Sequence, residues 1–109
     1  THRIAGPLYR FERNLANMAE GDLSETIHLR EKDDGKDLAQ KINNFNKMMS
    51  SKLSEIDRNA EAINNLLNQY ENLDSAHISP EDATSICLAI RNHNEKLRLQ
   101  LKFFTLSNE

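Results

Sequence analysis

Apolar residues recur along this chain at helical spacing, in three series separated by polar breaks. The first is Ile4, Leu8, Phe11, Leu15 and Met18, whose steps of 4, 3, 4 and 3 keep one stripe on a single helix face. A helix is predicted over residues 5–20. Pro7 falls near its start, where a missing N–H costs little, and Gly21 stands where a helix-ending glycine is expected.

Between Gly21 and Gly35 the helical period is lost. Leu23, Ile27 and Leu29 are isolated apolars among Asp22, Ser24, Glu25, Arg30, Glu31, Lys32, Asp33 and Asp34. Antiparallel helix neighbours are usually joined by about 2–8 residues, so this connector is too long for a simple hairpin. Returning along a ~16-residue helix means covering roughly 24 Å, and ~13 extended residues reach ~43 Å. The spacing predicts two parallel helices, with Leu23 and Ile27 pinning the connector to their seam.

The second helix is predicted from residue 36 to about 73. Its stripe is Leu38, Ile42, Phe45, Met49, Leu53, Ile56, Ala60, Ile63, Leu67 and Tyr70. Two successive steps of four at Phe45–Met49–Leu53 make a stutter; strict heptads would instead bring Lys52 and Asn59 into the seam. At ~54 Å from 38 to 73, such a helix needs a partner helix along it. A turn is predicted over 74–79. Ser79-Pro80-Glu81-Asp82 then reads as an N-cap, a first-position proline and an acidic first turn. The stripe Ala83, Ile86, Ile90, Leu97, Leu101 and Phe104, with His93 or Asn94 filling its gap, predicts a helix over 80–104. The short turn folds it back antiparallel as a hairpin. The class is all-α, divided into residues 1–49 and a helical hairpin over 50–109.

Composition narrows the function. With 109 residues, a net charge of −3, 28% charged and 38% apolar residues, the chain has no strong field for nucleic acid. One cysteine excludes an intramolecular disulfide and gives no zinc-site spacing. The longest apolar run, Ile86-Cys87-Leu88-Ala89-Ile90, is far short of the ~20 residues that span a bilayer. The chain begins at Thr1 without a methionine, so a fragment of a longer protein is expected.

An ordered set of short motifs runs through the first half. Ile4-Ala5-Gly6-Pro7-Leu8-Tyr9-Arg10-Phe11 is followed by Met18-Ala19-Glu20-Gly21-Asp22-Leu23-Ser24 and Ile27. Asp33-Asp34, Asp37-Leu38-Ala39 and Phe45-Asn46-Lys47-Met48 come after. Together they resemble a HAMP domain, the relay of bacterial chemoreceptors, sensor kinases and adenylyl cyclases, over residues 1–49. The resemblance implies a homodimeric parallel four-helix coiled coil, with two helices and a connector per subunit, following a transmembrane helix. By position, Pro7 matches the family's proline and Gly21 its connector-opening glycine. Leu23 and Ile27 match its packed connector residues, and Asp34 stands where the family has a glutamate. The implied dimer core is Ile4, Leu8, Phe11, Leu15, Met18, Leu38, Ile42, Phe45 and Met49. Asp34-Gly35-Lys36 departs from the family's Glu-Ile/Leu-Gly run and removes an apolar residue from the second helix start. The basic opening of His2, Arg3, Arg10 and Arg13 suits a position just inside a membrane, so a membrane helix is expected before Thr1. That places the chain in the cytoplasmic portion of a bacterial inner-membrane protein.

Catalytic chemistry finds no foothold in the pattern. His2, His28, His77 and His93 never fall three or four apart, so each reads as a surface or interface residue. Cys87, beside Ile86 on an apolar face, reads as a small buried hydrophobe. Asp33-Asp34 reads as solvated or helix-capping rather than as a general acid and base. There is no glycine-rich phosphate loop, and Phe45, Met48 and Met49 read as core packing. No enzyme activity, cofactor, metal or small-molecule substrate is expected, and no adaptation sites are expected on the long helix. Two functions fit: a two-state relay from a membrane helix to a helical output or cytoplasmic signalling protein, or a non-enzymatic dimerisation and docking module whose hairpin binds a partner protein.

Overall fold

In a computed structural model, residues 2–73 and 77–107 are described, with the side chains of His2 and Arg3 excepted. Three helices occur in this order: α1 (His2–Ala19), α2 (Lys36–Glu71) and α3 (Pro80–Leu101), with no strand among the described residues. Part of the turn expected over 74–79 lies outside the described residues. The chain divides into two compact units, Thr1–Ser51 and Lys52–Glu109, and α2 contributes to both.

Helix ends follow local hydrogen bonding. α1 stops at Ala19 because the Gly21 N–H donates to the Met18 carbonyl and the Asp22 N–H to that of Asn17. This is the Schellman pattern, and it puts Gly21 at φ +97. α1 starts at His2 rather than residue 5, so Pro7 lies in its second turn and is buried there, not in the first turn. Gly35, at φ +91, precedes α2 and accepts the first helical bond from the Ala39 N–H at 2.9 Å. Ser79 caps α3, its hydroxyl accepting from the Asp82 N–H at 3.1 Å, with Pro80 at the first position. That helix ends at Leu101 rather than at 104. The Phe103 and Phe104 N–H groups reach back only three residues, to Gln100 and Leu101, so the last turn tightens.

In the first unit, a small core of Phe11, Ile27, Ala39 and Ile42 is flanked by Met18 and Leu29. Side-chain contacts run in a fixed sequence along it. Glu25 meets Asn17 and Asn14, then the His28 carbonyl and Asp33 meet Arg10, and Gly35 lies against the Phe11 ring. The connector therefore runs back along α1. α2 then advances again, bringing Asn43 to Ile27, so α1 and α2 point the same way.

In the second unit the order is reversed. Asn59 pairs with His93, Glu55 with Gln100, and the Lys52 ammonium sits 4.4 Å from the centre of the Phe103 ring. α2 and α3 thus form an antiparallel hairpin. Its interior is in part polar, with Lys52 and Asn59 half-buried while Leu53, Leu67 and Tyr70 remain exposed. Beyond Met49, the residues that strict heptads would bring inward are the ones on the α3 side. Cys87, expected to be buried, is exposed, because Ile86 takes the inward position.

Candidate functional site

The connector is the most densely hydrogen-bonded irregular segment described. Its opening is a local turn in which Asp22 Oδ1 accepts from the Ser24 N–H at 3.0 Å and the Ser24 hydroxyl at 2.6 Å. Those bonds, the hydroxyl first, hold the Asp22 carboxyl below the usual range. Farther along, the Asn43 amide clamps Ile27 at two points. Its Oδ1 accepts from the Ile27 N–H at 2.8 Å and its Nδ2 donates to the Ile27 carbonyl at 3.0 Å. A strand neighbour would satisfy the same two groups; here one helix side chain does so, and Ile27 is held with its side chain in the core.

Asp33 fastens the other end. Its carboxylate is buried, and Oδ2 accepts from the Arg30 N–H at 2.8 Å, with Arg30 Nε at 3.4 Å and Arg10 Nη1 at 3.5 Å. Arg10 also donates to the His28 carbonyl at 3.1 Å, so one guanidinium on α1 grips the connector at two places. The Arg30 N–H is the main cause of a lowered Asp33 carboxyl pKa. Desolvation opposes it, and the charges of Arg30 and Arg10 add to it. The linkage has a definite sign. A carboxyl lowered on folding stabilises the fold above its unfolded value and loses that contribution as pH falls through the folded value. Asp33→Asn is expected to lower the melting temperature at neutral pH. Melting curves taken from pH 6 down to 2 should also show a shallower acid decline for the variant; an unchanged decline would exclude Asp33 as a contributor.

The residues singled out by sequence are now placed. Ile27 is buried, Leu23 half-buried and Gly21 exposed at the turn. Asp34 is exposed; the ties to α1 and within the connector belong to its neighbour Asp33, which is neither solvated nor a helix cap. Of the nine apolar positions assigned to a dimer core, Phe11 and Ile42 are buried within the chain itself, and Met18 and Met49 are half-buried. The other five, Ile4, Leu8, Leu15, Leu38 and Phe45, are 46–59% exposed. Asn14, Asn43, Asn46, Arg10 and Asp33 all shape this site, and hydrophobic periodicity passes over each of them. The signal available was the intrusion of asparagine at 14 and 46, on helical faces otherwise occupied by apolar residues.

Two of these amides stand out. Asn46 is 2% exposed, and neither its Oδ1 nor its Nδ2 has a hydrogen-bond partner; Asn14 Oδ1 is likewise buried and unpaired. Each such group costs about 1–3 kcal/mol of desolvation. Among the described residues no group of three His, Cys, Asp or Glu side chains gathers to hold a metal, and no helix is long and apolar enough to cross a membrane. No known protein family, curated protein or solved structure matches the chain.

Proposed function

We propose that residues 2–51 act as a signalling relay of the HAMP type, two copies associating as a parallel four-helix coiled coil. The observation that carries this reading is the row of half-exposed apolar side chains left by the intrachain core. Ile4, Leu8 and Leu15 lie on α1 at steps of four and seven, and Leu38 and Phe45 on α2 at a step of seven. Heptad-spaced apolars on two parallel helices are a coiled-coil seam, and a second copy covers them with the same residues.

In this reading a displacement of a membrane helix ahead of the segment enters through α1, and the bundle answers as a unit with two packings of similar free energy. The connector biases the balance through Ile27, Asn43 and Asp33. The unpaired amides of Asn14 and Asn46 support a switch, because they hold this packing above the free energy a fully satisfied core would have. The docking alternative shares the dimer but assigns no signal path through it.

Phe45→Asp tests the dimer. It places a charge in the seam without touching the intrachain core, and should weaken association by roughly 30-fold or more, the scale of an interface hot spot. Sedimentation over a concentration series is the measurement. A wild-type chain that stays monomeric at every concentration would refute the relay dimer. Ile27→Asp in the full-length protein tests the signal path, which loses its support if output is unchanged.

A further inference from the structure

Residues 52–107 pose a packing problem of their own. Ile86 is the one buried apolar side chain among the described residues of this hairpin. Much of what lies between the two helices is a polar chain whose direction is set by its first member. The Glu55 carboxylate accepts from Gln100 Nε2 at 3.3 Å, Gln100 Oε1 accepts from Asn59 Nδ2 at 3.1 Å, and Asn59 Oδ1 faces His93 Nδ1 at 3.0 Å. These bonds fix the register of α3 on α2 while burying little apolar area. On one side of the hairpin a groove remains open, with Ile63 and Tyr70 of α2 facing Ala83, Cys87 and Ile90 of α3.

The area left open is large. The chain exposes 8699 Å², roughly 1300 Å² more than two compact units of half its mass each. A standard interface takes about 800 Å² from each partner, so the excess accommodates more than the seam of residues 2–51. Beside the groove, α2 exposes Leu53 and Leu67, two heptads apart, which suits a helix as the occupant. α2 is one continuous helix from Lys36 to Glu71. Two copies joined through residues 36–51 therefore hold their 52–71 segments at a high effective concentration for each other.

We propose that the groove between Ile63 and Tyr70 of α2 and Ala83, Cys87 and Ile90 of α3, with Leu67 exposed beside it, docks the same hairpin of a second copy, closing a four-helix bundle in which the two hairpins point the same way. The choice of occupant rests on the relay dimer proposed above. In that bundle α3 of one copy lies beside α2 of the other. Counted antiparallel from the Glu55–Gln100 contact, Cys87 falls level with residue 68, so it comes within one position of Leu67 of the second copy.

The test is disulfide capture between copies. Leu67→Cys is introduced with the native Cys87 retained, and Tyr70→Cys serves as a second variant should the first lose helicity. The control is Asn92→Cys combined with Cys87→Ser, whose thiol lies away from the groove. Under mild oxidation the groove variants should form covalent dimers at least roughly tenfold faster than the control. If sedimentation shows a dimer but the groove thiols cross-link no faster than the control, the hairpin proposal is overturned while the relay dimer stands. A chain that is monomeric in sedimentation and uncross-linked overturns both.

Discussion

Truncating Phe11 to alanine is expected to remove about 3–5 kcal/mol from the stability of residues 2–51. Phe11 is 6% exposed and is the largest side chain of a core whose other buried members are Ile27, Ala39 and Ile42. It comes from α1, whereas Ile27 belongs to the connector and Ala39 and Ile42 to α2, so this one ring joins all three segments. Domains of this kind retain only about 5–15 kcal/mol in total, so the loss takes a large share. Urea denaturation followed by far-UV circular dichroism measures it, and amide exchange at Ile27 locates it. The Asn43 clamp depends on Ile27 staying seated, so its exchange should accelerate with the global change. A loss below about 1 kcal/mol would mean the core is not organised around this ring.

Gly35→Ala should cost nearly as much, about 2–4 kcal/mol, from two sources that can be separated. The residue sits at φ +91, a region L side chains rarely adopt, and an added Cβ would lie 3.1 Å from both Cε2 and Cζ of Phe11. Gly21 supplies the control. Its φ of +97 is similar, but nothing lies within 4 Å of its would-be Cβ. Gly21→Ala therefore carries only the backbone cost, about 1 kcal/mol. The difference between the two variants measures the contact with Phe11. Combining Gly35→Ala with Phe11→Ala should bring the glycine's cost down toward that of Gly21→Ala. Strict additivity in that cycle would show that the ring is not what the new methyl meets.

Both variants act on the start of α2. Asp34-Gly35-Lys36 has no apolar residue there, and the position is anchored instead by the Phe11 ring over Gly35 and by Asp33 with its two arginines.

By itself the sequence determined the local elements. Steps of three and four mark the helices because an apolar stripe has to stay on one face. Gly21 and Gly35 mark the connector because each adopts a positive φ, and Ser79-Pro80 marks a helix start through an N-cap hydroxyl and a missing N–H. Connector length alone implied that α1 and α2 run the same way. Tertiary structure decided how these parts are used. Leu8 and Phe11 belong to the same stripe, yet Phe11 is buried within the chain and Leu8 is half exposed. A stripe wide enough to serve two neighbours does not say which residue meets which. Asp33 and Asp34 are adjacent and chemically identical, but only Asp33 reaches Arg10, 23 residues away. Asn43 and Ile27 meet across 16 residues, and Asn59 and Gln100 across 41. Such pairings depend on how far the connector retreats along α1 and on the register of α3 against α2. Both are set by side chains closing on one another in space, which no local period encodes.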